Sequence, residues 1–169
     1  MVALSPSPSP SKAPGGAHPL VSVEGGRLVV HEHAAAVLSS AAAFRAPLAV
    51  LAVTGSARCG KSFLLNSLMG VSCADGFMVG HQRQTQTKGV WLWSTPRAMS
   101  NVSVVYMDTE GFEGTGQAEI YDDRIFAFAA LVSDVLVYNL AETIKQADIE
   151  RLAFAAQLSH EFWRRAHPA

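Results

Sequence analysis

The sequence predicts an α/β domain with a mostly parallel sheet flanked by helices, and three observations predict it. Residues 47–55, "PLAVLAVTG", form a continuous apolar run bounded by proline and glycine, which suits a strand buried on both faces. Further strand-like runs at 90–93, 102–108 and 135–140 are separated by segments of helical character. A glycine-bracketed loop, "GSARCGKS", lies between the first run and the helix that follows it. The 169 residues are 49% hydrophobic and 16% charged, which supplies a core for one globular domain.

Taken in order, residues 1–19 repeat Ser-Pro and read as a disordered tail leaning toward polyproline II, leaving 20–169 as the domain. Leu20–Val23 and Leu28–His31 flank Gly25 and Gly26, which predicts a hairpin or strand pair. Residues 32–46 are rich in alanine and stop before Pro47, as a helix would. After the strand 47–55, helix resumes at Lys61, with Phe63, Leu64, Leu65 and Leu68 on one side and Gly70 as its stop. Residues 71–89 make a polar loop of unusual length, a kind that is commonly functional. Strands follow at 90–93 and 102–108, a helix at 122–133, a strand at 135–140 and a last helix from about 146 to 164.

Composition excludes several classes. Thirteen Lys and Arg against 14 Asp and Glu give no bulk attraction to nucleic acid or anionic lipid, so any anion must be bound locally. The apolar stretch 125–141 is broken by Ser133, Asp134 and Asn139 and falls short of a bilayer span. Cys59 and Cys73 are too few for a disulfide framework, so a reducing, cytoplasmic compartment is expected. His31 and His33 would share a strand face, but without a further ligand they do not make a zinc site. Trp91 and Trp93 are read as core residues rather than base-stacking platforms.

The loop carries the chemistry. Gly55, Gly60, Lys61 and Ser62 match G-x-x-x-x-G-K-[ST] between a strand and a helix, the context that defines a P-loop NTPase fold. The backbone amides of Gly55, Ser56, Ala57, Arg58, Cys59 and Gly60, continuing through Lys61, Ser62 and Phe63, would turn inward on a phosphate chain. Lys61 would reach the β- and γ-phosphates, and the Ser62 hydroxyl would ligate Mg²⁺. A second pattern supports the first: "VVYMDTEG" sets Asp108 at a strand end, to hold Mg²⁺ through water, and Gly111 three residues on, to meet the γ-phosphate. A threonine from the preceding loop should close on both; spacing leaves Thr85 and Thr87 as alternatives.

Together "GSARCGKSFLLNSLMG", "QTQTKGVWLW", "MDTEGF" and "VYNLAETIKQADIERL" resemble the guanylate-binding protein and atlastin class of large GTPases in the dynamin superfamily, from about Leu20 to the end. The resemblance implies GTP as substrate, Mg²⁺ as cofactor, and a nucleotide-dependent homodimer through the G domain. It implies that Arg58 is an internal arginine finger, that Thr87 is the metal-closing threonine, and that Thr85 stands where the family has a catalytic serine. A physical need for Arg58 exists apart from the family. Phe112 occupies the place of the water-orienting glutamine of small GTPases, so charge developing between the β- and γ-phosphates needs another partner.

The family's guanine-reading Arg-Asp motif lies beyond Ala169, so a partial G domain is expected, with membrane association only through parts outside this chain. The readings carried forward are a Mg²⁺-dependent GTPase, a catalytically weak nucleotide-binding interaction module, and an adenine-nucleotide hydrolase. Cys59 is read as a small loop residue, with a redox role as the lesser alternative.

Overall fold

The computed structural model describes residues 16–25, 27–39, 47–79, 87–93, 97–99, 101–112 and 119–167. The elements are β1 (Ala17–Glu24), β2 (Arg27–Val30), α1 (Glu32–Ser39), β3 (Leu48–Gly55), α2 (Lys61–Met69), β4 (Val90–Trp93), β5 (Arg97–Met99), β6 (Val102–Thr109), α3 (Glu119–Val132), β7 (Val135–Asn139) and α4 (Gln146–Ala166). The strands form one sheet in the order β2-β1-β4-β6-β3-β7, with β5 also pairing β6.

The sheet corrects one expectation: it is mostly antiparallel. Among the described residues only β6–β3 and β3–β7 pair in parallel, whereas β1–β2, β1–β4, β4–β6 and β5–β6 run antiparallel. Connection length is the reason. A parallel neighbour needs a crossover of a dozen or more residues; the chain from β3 to β6 includes α2, and the chain from β6 passes through α3 to β7 on the far side of β3, so both parallel partners of β3 are reached by long stretches. The links β1–β2, β4–β5 and β5–β6 are too short to cross over.

Other departures are local. β1 begins at Ala17, so residues 17–19, expected in the tail, pair with β4 through Ala17↔Trp93 and Pro19↔Trp91. β5 was not anticipated. His31 and His33 do not share a strand face, because β2 ends at Val30 and α1 starts at Glu32. His31 Nε2 lies 3.0 Å from Ser22 Oγ, while the His33 ring meets His18 edge-on at 5.0 Å. Of the expected 32–46 helix, residues 40–46 lie outside the described residues.

The central strands are covered on both faces, as their apolar runs require. Ala52, Val105 and Met107 pack with Ala34, Ile125 and Ala129 on the side of α1 and α3. Val53, Val104 and Tyr106 point the other way, onto Leu65 and Met69 of α2, Phe77 and Trp93. Alternate residues of one strand thus enter opposite cores. Trp93 is buried against Phe77, at 5.7 Å between ring centroids, so the core reading of that tryptophan holds.

The buried face of α2 differs from the expected one. Lys61, Leu65, Asn66 and Met69 face inward, and Phe63 and Leu68 are exposed. Lys61, Leu65 and Met69 stand four residues apart on one stripe, so turning Lys61 toward the preceding loop fixes the phase of the whole helix. Among the described residues no helix is long and apolar enough to cross a membrane.

Candidate functional site

Parallel pairing brings the carboxyl ends of β3, β6 and β7 to one edge of the sheet, where open α/β sheets bind ligands. β4 is antiparallel to β6 with Val90 opposite Thr109, so the segment entering β4 arrives at the same edge. Strand direction therefore collects Gly55–Ser62, Thr87–Gly89, Asp108–Phe112 and Asn139 within one neighbourhood.

The loop between β3 and α2 is held from both sides. Phe112 N–H donates to the Gly55 carbonyl at 3.2 Å, and Ala57 N–H donates to the Phe112 carbonyl at 2.7 Å, which zips the segment following β6 onto the loop. From the other side, Asn139 Nδ2 donates to the Cys59 carbonyl at 2.8 Å. Two glycines permit this approach. A Cβ on Gly55, whose φ is 141°, would collide with the Asn139 carbonyl, and one on Gly111 would meet the Ala57 backbone and lie 2.8 Å from Lys61 Nζ. No other residue fits either place without backbone movement.

Lys61, only 6% exposed, donates from Nζ to the Ser56 carbonyl at 2.9 Å, so the ammonium sits inside the curl of the loop. Arg58 takes the opposite course: its φ is 65°, a left-handed conformation that side chains seldom adopt, and the residue is exposed. Phe63 is also exposed.

Three of the expected residues converge. Ser62 Oγ donates to Asp108 Oδ2 at 2.6 Å, and Thr87 Oγ1 donates to the same oxygen at 3.0 Å. Asp108 is fully buried, and its Oδ1 has no hydrogen-bond partner among the described residues. Burial pushes the Asp108 carboxyl above its ordinary value, opposed by the Ser62 hydrogen bond, the Lys61 charge and the Thr87 hydrogen bond. A buried carboxylate with one bare oxygen, flanked by two hydroxyls and an ammonium, is arranged to receive a further positive charge. Thr85 lies outside the described residues.

Several contributors escaped sequence reasoning. Asn139 ends an apolar strand, and its polarity at that place was the available signal. Glu110 is 5% exposed inside the D-T-E-G run; its Oε2 accepts from Gly89 N–H at 2.8 Å and from the Tyr121 hydroxyl. Arg151 of α4 lies over the Phe112 ring at 4.7 Å. Neither Tyr121 nor Arg151 has a local pattern that marks it, because each reaches the site from another element.

A strand–loop–helix junction with a buried lysine, facing a carboxylate at the end of the neighbouring parallel strand, defines an α/β domain of the P-loop kind. Comparison with known proteins gives the family. The profile of the guanylate-binding protein N-terminal domain matches residues 25–168, so the chain belongs to that family. It is 36% identical over 151 residues to guanylate-binding protein 1 of Chlorocebus aethiops and 34% identical over 151 residues to guanylate-binding protein 1 of Homo sapiens. Each match covers 88% of this chain and 25% of the relative. Guanylate-binding protein 2 of Rattus norvegicus is 37% identical over 134 residues, which cover 78% of this chain and 22% of that protein. The chain thus spans about a quarter of the length of these curated relatives.

Proposed function

We propose that this chain binds GTP with Mg²⁺ and hydrolyses the γ-phosphate to give GDP and phosphate. The observation that carries the reading is the meeting of Ser62 and Thr87 on buried Asp108, next to a loop with Lys61 curled inside it. Family membership supports guanine as the base, since the relatives are named for binding guanylate.

The donor set suits Mg²⁺: all the atoms are oxygen, one belongs to a carboxylate, and two hydroxyls leave positions for water and phosphate. Ser62 and Thr87 would hold the ion directly and Asp108 through water. When bound, the ion would supply positive charge that offsets the phosphates' negative charge. The remaining work falls to the chain itself. Amides from Gly55 through Phe63 cradle the α- and β-phosphates, Lys61 exchanges the Ser56 carbonyl for β- and γ-phosphate oxygens, and Gly111 N–H faces the γ-phosphate.

Arg58 supplies the missing charge. Its exposed side chain stands on the phosphate loop and would turn inward when two copies meet through their nucleotide faces, stabilising charge as the terminal phosphate departs. Thr85 orients the attacking water. A cytosolic location accords with this chemistry and with two free cysteines.

Fluorescent-nucleotide binding and single-turnover hydrolysis test the proposal. Lys61→Ala should abolish tight triphosphate binding, whereas Arg58→Ala should keep binding and lose about 10³-fold or more in rate. Equal affinity and equal turnover after the arginine change would overturn the role of Arg58, and no turnover in the unaltered chain would leave a nucleotide-binding module. ATP competing as well as GTP would overturn the choice of base.

A further inference from the structure

The segment carrying Thr87 is fastened at two levels. At its head Thr87 Oγ1 meets Asp108. At its foot Gly89 N–H donates to Glu110 Oε2 at 2.8 Å, while the Gly89 carbonyl accepts from Glu110 N–H at 2.7 Å. Trp91 Nε1 steadies the intervening residue by donating to the Lys88 carbonyl at 2.8 Å.

Glu110 is nearly dry, so its carboxylate relies on protein donors in place of water. The second donor on the same oxygen is the hydroxyl of Tyr121, which projects from the first turn of α3. Burial, reinforced by Glu110, holds the Tyr121 phenol above its ordinary value, so it keeps the proton that it donates. Without that hydroxyl, Glu110 Oε2 would retain the Gly89 amide alone and the buried carboxylate would shift toward other donors or water. Gly89 would move with it, and Thr87 is two residues away.

We infer that Tyr121 is a positioning residue for the nucleotide site: acting through Glu110 and Gly89, it sets where Thr87 stands relative to Asp108 and the γ-phosphate. The inference rests on the site reading proposed above. It assigns α3, which contributes no phosphate contact, the task of supporting the closed form of the Thr87 segment. Because the GDP-bound state lacks the γ-phosphate that Thr87 approaches, the tyrosine should matter for triphosphate and not for diphosphate.

Tyr121→Phe removes one oxygen and keeps the ring. In the full chain with Mg²⁺, affinity for fluorescent GDP should be unchanged, while affinity for a non-hydrolysable GTP analogue and single-turnover rate should each fall roughly tenfold. Amide exchange at Gly89 should quicken, and in a Glu110→Ala background the tyrosine change should add nothing further. Wild-type triphosphate affinity, turnover and Gly89 exchange in Tyr121→Phe would overturn the inference. Equal losses for GDP and triphosphate would do so too, since they would mark general loss of packing. Lys61→Ala separates the two levels of failure. If it leaves triphosphate binding intact, the site reading fails and takes this inference with it; if it abolishes binding while Tyr121→Phe is silent, only the role of Tyr121 fails.

Discussion

The two halves of the sheet are built on different plans. In the parallel half, β6, β3 and β7 end together, and their carboxyl ends carry Asp108, Gly55 and Asn139. In the antiparallel half, β2, β1 and β4 give short connections and a wall, and their contribution to the site is one segment, Thr87–Gly89, delivered by β4. The parallel half concentrates charge in a dry place: Lys61, Asp108 and Glu110 are all buried there. The antiparallel half holds its charged residues outside, with Glu24, Arg27 and Glu32 exposed. Buried charge is costly unless a partner offsets it, so the gathering of Lys61, Asp108 and Glu110 at one edge marks where a charged ligand would meet the protein. Changes in the parallel half should therefore affect ligand binding before they affect folding, and changes in the antiparallel half the reverse.

The largest expected effect comes from Gly111→Ala. Its added methyl would press on the Ala57 backbone and on Lys61 Nζ, so the loop must open. Triphosphate affinity should fall more than tenfold, with stability lower by about 1–3 kcal/mol as for other overpacked sites. Far-UV circular dichroism should remain that of a folded domain. Unchanged affinity measured by nucleotide titration would break the claim that the D-x-x-G backbone and the phosphate loop share one packed surface.

A smaller effect, of opposite sign on stability, is expected from Asp108→Asn. The Asp108 carboxyl is raised in the folded state, so the unfolded chain releases that proton more readily. Its ionisation penalises the fold as pH rises from the ordinary aspartate value through the raised one, and stability returns as pH falls back from the raised value to the ordinary one. A neutral amide in its place removes the penalty. The variant should melt a few degrees higher than wild type at neutral pH without nucleotide, and the gap should close in acid. It should also lose Mg²⁺-dependent triphosphate binding. A lower melting temperature at neutral pH would show that the carboxylate is already well compensated by Ser62, Lys61 and Thr87.

The smallest effect lies in the antiparallel half. Burial, and after it the charge of His33, holds His18 below the ordinary histidine value. A lowered histidine binds fewer protons folded than unfolded, so its contribution is intact above the unfolded value and is lost as pH falls from there through the lowered folded value. His18→Phe should flatten the acid limb of a melting-temperature profile between about pH 7 and 5 and leave nucleotide affinity unchanged. A change in nucleotide affinity would couple the halves more tightly than their contacts suggest.

Much of the parallel half was legible because its signals are local. A continuous apolar strand, a glycine-bracketed loop and a lysine opening a helix lie within 16 residues of chain, 47–62, and each follows from short-range sterics and hydrogen-bond demand. Asp108 stood out as a charge at the end of an apolar run. The phase of α2 was misjudged because counting apolar residues ignored that Lys61 must face inward with Leu65 and Met69. The sheet was taken as mostly parallel because strand-forming residues do not encode strand direction; the spacing between runs does, and β5 went unseen within the short interval before β6.

The sequence by itself determined which loop the two glycines bend, which lysine and serine follow it, and which aspartate answers from the neighbouring strand. Those choices are made by residues close in the chain, where glycine conformation and helix initiation decide the geometry. Only the tertiary structure decided that β4 would run against β6 and bring Thr87 to Asp108, that Asn139 would clamp the loop, and that Tyr121 would reach Glu110. These contacts join residues 11 to 80 positions apart, and pairing direction and helix phase settle them only once the cores on both faces of the sheet have closed.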